Sequence, residues 1–185
     1  MVGVMVINTE TLYNIKKAIF DKEPVSDKYV TIAGDVEEDI TVKVPVGMKI
    51  SELFAAVGYP DLSGKAVING GPMMGRALSN ITMPVMKGCS GITVLSGAEA
   101  LRGEPSACIK CAKCVEACPM GLEPYYLAKQ SKRKAWDDVE KNDIVSCIEC
   151  GCCQYTCPAN LPLLDWVRLG KQSVMGIIRA RNAKK

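Results

Sequence analysis

The chain has 185 residues, with 23 basic and 20 acidic side chains, ten cysteines and no histidine. The absence of histidine excludes imidazole-based catalysis, haem ligation through histidine and mixed Cys/His zinc sites. The formal net charge of +3 does not indicate a nucleic-acid-binding domain, which is typically strongly basic. No stretch approaches the ~20 consecutive apolar residues of a membrane span, so we expect no transmembrane segment in this sequence.

The cysteines divide the chain into two parts. Nine of the ten lie between Cys108 and Cys157, and Cys89 alone precedes them. The charge changes in the same region: residues 1–100 hold 9 basic and 11 acidic side chains, whereas residues 101–185 hold 14 and 9. We therefore expect two domains with a boundary near residue 100.

The first hundred residues predict a small mixed sheet with one packed helix, as in a β-grasp module. Alternating apolar residues indicate strands, and apolar residues at i, i+3, i+4 and i+7 indicate helices. The predicted elements in chain order are a strand at 4–7, a helix capped by Asn8 or Thr9 and ended by Pro24, strands at 29–33 and 40–46, a helix from Ile50 to Gly58, and strands at 66–68 and 92–95.

The second part of the chain is predicted to be mostly helical, which makes the fold class α+β. Residues 124–145 have helical character, and residues 163–181 form a second helical stretch that we expect to be interrupted around Gly170 and Gly176. The glycine-rich segment 70–75 matches neither a dinucleotide-binding nor a phosphate-binding loop. Its composition favours a turn between strands, although it could also approach a flat ligand closely.

Two segments of the second part repeat one cysteine pattern, C-x2-C-x2-C-x3-C-P. The cysteines of the first are Cys108, Cys111, Cys114 and Cys118, and those of the second are Cys147, Cys150, Cys153 and Cys157. This spacing is the bacterial [4Fe–4S] signature, in which the fourth cysteine binds the other cluster when two are present. It therefore predicts cluster 1 on Cys108, Cys111, Cys114 and Cys157, and cluster 2 on Cys147, Cys150, Cys153 and Cys118.

Four thiolates occupy every iron position of such a cluster and leave no open position for a substrate. We therefore predict a one-electron carrier with no catalytic residue and no substrate site of its own in this chain. Two clusters placed close together would form a relay.

Other interpretations of the cysteines are weaker. Zinc ribbons use C-x2-C pairs, whereas runs of three cysteines occur here twice, each with a fourth at a fixed distance. Disulfides require export, and residues 1–7 lack the basic leader of a secretory signal. Cys152 and Cys89 lie outside the pattern, and we interpret both as structural residues, with an occasional role of Cys152 as an exchanged ligand left open.

Basic residues of the second part allow two interpretations. We expect solvated helix faces, although either group could dock an acidic redox partner or lipid headgroups. The two groups are Lys129, Lys132, Arg133 and Lys134, and in the tail Arg168, Lys171, Arg179, Arg181, Lys184 and Lys185.

Four segments together resemble the C subunit of the Rnf ion-translocating electron transport complex, over nearly the whole chain. They are Gly70–Gly75 (GGPMMG), Pro84–Gly88 (PVMKG), Cys108–Leu122 (CIKCAKCVEACPMGL) and Cys147–Asn160 (CIECGCCQYTCPAN). The resemblance implies a membrane complex that couples reduced ferredoxin to NAD. It also implies a soluble-ligand-binding β-grasp domain at 25–100 and a helical domain with two [4Fe–4S] clusters at 101–185.

In that family a domain that binds flavin and NADH precedes these two domains. We interpret residues 1–24 as the last strand and helix of that domain, so this chain resembles a C-terminal portion. FMN and NADH are therefore expected on the missing domain, and no residue for either is assigned here.

The function that these features predict is a one-electron relay within a membrane-associated ferredoxin:NAD oxidoreductase complex. The expected partners are other subunits of that complex, including an iron–sulfur protein, and the expected location is the cytoplasmic face of the cell membrane. One alternative is the iron–sulfur subunit of a cobalamin reductase, whose second cysteine segment fits less well. Another is a binding module in which the clusters only staple the helical domain.

Overall fold

A computed structural model describes residues 3–183. Met1, Val2, Lys184 and Lys185 lie outside the described residues, so the predictions that include them are tested only in part. The chain divides into two compact units, Met1–Ala100 and Leu101–Lys185.

The first unit combines a sheet with helices. Its elements are α1 (Thr9–Lys16), a π-helical turn (Lys17–Asp21), β1 (Asp27–Gly34), β2 (Ile40–Pro45), α2 (Ile50–Ala56), β3 (Ala66–Asn69), β4 (Arg76–Ala77), β5 (Gly91–Leu95) and a 3₁₀ turn (Gly97–Ala100). The strand order is β2-β1-β5-β3-β4. Only β1 and β5 run parallel among these pairs, which makes the sheet mixed, as predicted.

One face of this sheet carries the core of the first unit. Val30 and Ile32 of β1 and Ile92 and Val94 of β5 alternate with more exposed residues, the pattern of a sheet with one buried face. The helix α2 contributes three residues to the same core, Ile50, Leu53 and Phe54, each 1% exposed. The predicted helix with one apolar face is therefore confirmed.

The predicted strand at 4–7 is wrong. Residues 4–8 have no regular secondary structure, and Val4, Met5 and Val6 are exposed. An apolar run forms a strand only where a neighbouring strand offers backbone partners, and this segment pairs with none of the described strands. The helix that follows is confirmed, because the Asn8 side chain accepts a hydrogen bond from the backbone N–H of Glu10 at 2.9 Å and caps α1.

Segment 70–75 forms the turn between β3 and β4, as its composition favours. Gly70 has a φ of +108°, which a residue with a side chain rarely adopts. A Cβ at Gly75 would lie 2.3 Å from the Ile68 side chain, so the turn folds back closely on its own strand. The two-residue strand β4 was not predicted from the sequence, because it is too short to show alternation.

The second unit is helical. Its elements are α3 (Lys113–Glu116), α4 (Pro124–Lys132), α5 (Trp136–Lys141), a 3₁₀ turn (Ile144–Ser146), α6 (Cys152–Tyr155) and α7 (Leu163–Asn182). The predicted helical stretch at 124–145 is therefore two helices and a turn. The helices α4 and α7 form the centre of the core, with Leu127 and Val167 buried between them and their neighbours.

The predicted interruption of the tail helix is wrong, because α7 continues through both glycines. Gly170 is buried against α4 and the 3₁₀ turn: a Cβ there would lie 2.0 Å from Ser131 Oγ and 2.8 Å from Ile144 Cδ1. Gly170 therefore permits the close approach of α4 and α7 and does not break the helix.

We expect Gly170→Ala to destabilise the second unit by about 1–3 kcal/mol, because the added methyl group overpacks this contact. The matched control is Gly176→Ala in the same helix, where a Cβ meets no atom within 4 Å. There the substitution should stabilise by about 0.5–1 kcal/mol through helix propensity. Urea unfolding followed by tryptophan fluorescence measures both, since both tryptophans lie in this unit. Equal shifts in the two variants would contradict the packing role of Gly170.

Candidate metal centre

The two cysteine motifs fold into loops of the same conformation. In the first, Lys110 and Ala112 have φ of +56° and +61°, and in the second Glu149 and Gly151 have φ of +57° and +85°. Left-handed residues turn the backbone sharply, so the three leading cysteines of each motif lie on one tight loop. The repeat seen in the sequence is thus a repeat in structure.

Each loop ends in a one-turn helix that carries its third cysteine. In α3, the Val115 N–H donates to the Ala112 carbonyl at 2.8 Å, and in α6 the Gln154 N–H donates to the Gly151 carbonyl at 3.0 Å. The turn after the fourth cysteine is also shared, because Gly121 and its counterpart Asn160 are both left-handed. A longer helix then begins in each half, α4 in the first and α7 in the second.

One pocket of this unit, the smaller of the two that the motif cysteines line, brings together four of the predicted ligands. Its lining includes Cys118 from the first motif and Cys147, Cys150 and Cys153 from the second. The rest of the lining is almost entirely apolar, and the enclosed space is about 390 Å³ with open solvent at the mouth included. This set is the one that the spacing predicts for cluster 2.

The larger pocket brings together the other four cysteines. Its lining includes Cys108, Cys111 and Cys114 from the first motif and Cys157 from the second. The space in this pocket is about 1930 Å³, again with the open solvent at the mouth included. Cys108 and Cys111 are exposed to solvent. This set is the one predicted for cluster 1, at the more open of the two pockets.

Both pockets lie along the same pair of helices. In α4, Pro124 and Leu127 line the smaller pocket, whereas Tyr125 and Ala128 line the larger one. The helix α7 repeats this arrangement with Leu164 and Val167 at the smaller pocket, and Leu163 and Trp166 at the larger. The two candidate sites are therefore held at fixed positions by one packed helix pair.

Burial sets the ionisation of the cysteines that lie deepest. It raises the pKa of the Cys153 thiol to about 12, and it also raises the pKa of Cys147 and Cys114. Backbone N–H groups point at two sulfurs, with Glu149 N 3.4 Å from Cys147 Sγ and Leu122 N 3.4 Å from Cys118 Sγ. Such buried thiols ionise when a metal replaces the proton, and the amide dipoles then stabilise the thiolate.

Within residues 3–183, no group of three or more Cys, Asp or Glu residues could hold a single metal ion. A four-iron cluster makes a different demand, because each thiolate binds its own iron at a separate corner of the cubane. The fit to such a cluster therefore rests on the two pockets and their four cysteines each.

The two cysteines outside the motifs occupy different environments. Cys89 is 2% exposed in the core of the first unit, where burial raises its pKa, in agreement with a structural role. Cys152 begins α6 and lines neither pocket. Its pKa is raised chiefly by a hydrogen bond with Cys150.

Two basic residues of the tail do not form the solvated face that we expected. Arg168 Nε lies 3.1 Å from a carboxylate oxygen of Glu149, and Lys171 Nζ lies 3.4 Å from the other. Lys171 also donates to the Cys147 carbonyl at 2.6 Å. All three side chains are partly buried, so they brace the second cysteine loop against α7. The sequence feature that could have predicted this pairing is Glu149, the acidic residue inside the second cysteine motif.

No helix among residues 3–183 is long and apolar enough to cross a membrane.

Family models match a part of each unit. Residues 107–161 match the model of a 4Fe-4S dicluster domain, and this segment contains all eight motif cysteines. Residues 29–77 match the model of the SLBB domain, which covers most of the sheet of the first unit. The prediction of iron–sulfur clusters is thus confirmed at the level of the domain family.

Curated relatives match almost the whole chain. It is 38% identical over 97% of its length to the C subunit of the Na⁺-translocating ferredoxin:NAD⁺ oxidoreductase complex of Acetobacterium woodii, of which it covers 41%. It is 36% identical over 91% of its length to the C subunit of the ion-translocating oxidoreductase complex of Rhodobacter capsulatus, and covers 33% of it. It is 35% identical over 95% of its length to the protein of the same name from Erwinia tasmaniensis, and covers 22% of it.

The chain therefore spans less than half the length of these relatives. The resemblance noticed in the sequence is confirmed: this chain is homologous to a part of the C subunit of the Rnf-type ion-translocating oxidoreductase complexes.

Proposed function

We propose that this chain holds two [4Fe–4S] clusters and passes single electrons between them, as a relay within an Rnf-type complex. The observation that carries this proposal is the division of the eight motif cysteines between two pockets. Each pocket takes three cysteines from one motif and one from the other. The spacing of the cysteines alone predicts the same crossed division.

The residues of both pockets fit the group. A [4Fe–4S] cluster bound by four thiolates takes up and gives back one electron without changing its ligands. The cysteines supply only thiolate, the ligand that such clusters require, and no histidine competes with them. Apolar residues such as Leu122 and Val167 make up most of the remaining lining of the smaller pocket. The N–H groups of Glu149 and Leu122 stabilise the negative charge on the sulfurs.

The shared helix pair supports transfer between the sites. Because α4 and α7 line both pockets, their packing fixes the separation of the two sets of cysteines. Since all four iron positions at each site are held by the protein, we propose no substrate site and no catalytic residue in this chain.

The domain assignments follow the same proposal. We assign residues 25–100 to a β-grasp domain, 101–185 to the two-cluster ferredoxin domain, and 1–24 to the end of a preceding flavin domain. The division at residue 100 and the SLBB match support the first two assignments. The names of the relatives support a complex that couples ferredoxin to NAD⁺ and moves an ion. We propose that FMN and NADH bind outside this chain, and that the chain associates with other subunits, an iron–sulfur protein among them, at the cytoplasmic face of the membrane.

Iron and sulfide analysis of anaerobically prepared protein tests this proposal. We expect about eight irons and eight sulfides per chain, and reversible one-electron reduction of both sites by dithionite, recorded by EPR. Zinc in place of iron would overturn the cluster assignment. Clusters that dithionite cannot reduce would overturn the relay and favour the structural module.

A further inference from the structure

The two candidate sites differ in the charges around them. Aligning the motifs on their cysteines places Lys110 at the position of Glu149, and the same register places Lys129 and Lys132 of α4 at the positions of Arg168 and Lys171 of α7. Beside the second cysteine loop, one carboxylate thus pairs with two cations. At the larger pocket, a third cation replaces the carboxylate.

The three lysines are free to meet another molecule. Lys110, Lys129 and Lys132 are all exposed, and no ion pair joins any of them to an acidic side chain of residues 3–183. Lys132 lies over the Trp166 ring, with Nζ 5.8 Å from the ring centroid. All three line the larger pocket, so their charge is placed at the mouth of the cluster 1 site.

The surplus charge exceeds what the cluster itself requires. Each four-thiolate [4Fe–4S] site carries about −2 when oxidised. The three corresponding positions of the second half carry a net +1, and none of them lines the smaller pocket. The three lysines carry +3, and all of them line the larger pocket. Because both sites carry the same charge, neutralisation alone does not explain the difference.

We propose that Lys110, Lys129 and Lys132 form a docking surface for an acidic iron–sulfur protein that exchanges electrons at the cluster 1 site. This inference rests on the proposed function, because it names the entry point of the same relay. Ile109, which is 66% exposed between Cys108 and Lys110 and also lines the pocket, adds an apolar centre to the charged rim, as protein interfaces typically have. One centre loses one electron and the other gains it, while no bond forms or breaks and no proton moves.

The position of the lysines favours a redox protein over a membrane surface. An anionic bilayer would attract the same charges, but it has no electron to exchange, and it would cover the exposed ligands Cys108 and Cys111. An acidic iron–sulfur protein that docks on the three lysines would instead place its redox centre next to the cluster 1 site, the more open of the two. The lysine charges at the rim then act mainly by raising the rate of association, and salt weakens this effect because it screens the charges.

The test uses the full chain with both clusters and a small acidic [4Fe–4S] ferredoxin, reduced, as the probe. The variant is Lys110→Gln/Lys129→Gln/Lys132→Gln. The matched control is Lys22→Gln/Lys87→Gln/Lys141→Gln, which removes the same charge from three exposed lysines that line neither pocket. Stopped-flow absorbance gives the second-order rate of electron transfer, and carbodiimide cross-linking with peptide mapping gives the contact residues without relying on electron transfer.

We expect the variant to transfer electrons about tenfold more slowly than the wild type at ~0.01 M ionic strength, and the difference to vanish near ~1 M. Cross-links should join ferredoxin carboxylates to the three rim lysines. Equal rates in the variant and the wild type, or an equal loss in the control, would overturn the docking surface. A variant that loses only its binding to phosphatidylglycerol vesicles would overturn it in favour of lipid.

Complete reduction by dithionite is measured in every sample. Failure of that reduction rejects the proposed relay, whereas full reduction with unchanged ferredoxin rates rejects the docking surface alone.

Discussion

Replacing Cys157 by alanine should damage the site formed mainly by the first motif. The larger pocket groups Cys157 with Cys108, Cys111 and Cys114, so the variant should lose ligation there while the smaller pocket keeps its four thiolates. We expect the iron content to fall toward about four per chain. Anaerobic alkylation with mass mapping identifies the site, because cysteines that lose their iron react and ligated ones do not.

Cys118→Ala is the matched control, since Cys118 holds the same place in the other motif. Its loss should expose Cys147, Cys150 and Cys153 to alkylation. Cys152→Ala, beside the ligands but outside both pockets, should keep all the iron. If Cys157→Ala instead exposed the cysteines of its own motif, each cluster would be held by one motif and the crossed assignment would be wrong.

Replacing Gly34 by alanine should unfold the sheet of the first unit. Gly34 has a φ of +105° at the end of β1, and a Cβ there would lie 2.1 Å from the backbone oxygen of Val94. That oxygen already accepts a hydrogen bond from the Asp35 N–H at 2.8 Å, so it cannot withdraw without breaking the β1–β5 junction. We expect a loss of more than about 4 kcal/mol, which is large for one substitution.

Gly47→Ala separates the clash from the backbone strain. Gly47 has a similar φ of +99°, but a Cβ there meets no atom within 4 Å. It should cost only the strain of a left-handed residue, about 1–2 kcal/mol. Hydrogen exchange of peptides from β1 and β5 in the full chain measures both. Similar protection in the two variants would contradict a steric cause.

The site was more predictable than much of the surrounding fold. Cysteine spacing restricts which side chains can meet, because a loop of fixed length has few ways to wrap a cubane. Each of the two predicted sets lines one pocket. The predictions of secondary structure were wrong where the outcome depends on contacts with residues that are distant in the sequence. The run at 4–7 has strand composition but finds no neighbouring strand, and Gly170 permits packing against Ser131 where local propensity suggested a break.

Charge was the hardest property to predict. Arg168 and Lys171 looked the same in sequence as Lys129 and Lys132, yet the first two are partly buried and paired with Glu149 while the others are exposed. The difference arises from the residue that each loop presents, glutamate in the second motif and Lys110 in the first. The loop residue and the basic residues of the helix are brought together only by the way the loop packs on the helix, which the fold determines.

The proposed crossed ligand sets would also determine when the clusters can be assembled during synthesis. Neither motif completes a site alone, so a nascent chain that ends before Cys147 offers the first loop only three thiolates. With the proposed ligands, cluster 1 could form only after Cys157, the last of the eight cysteines in the chain, has been synthesised. Cluster 2 would combine three late cysteines with the earlier Cys118. Because ligand binding and folding are coupled in such sites, we infer that the helical unit acquires its iron only after the whole repeat has been translated. Iron delivery to this unit is then a late step, which follows the synthesis of Cys157.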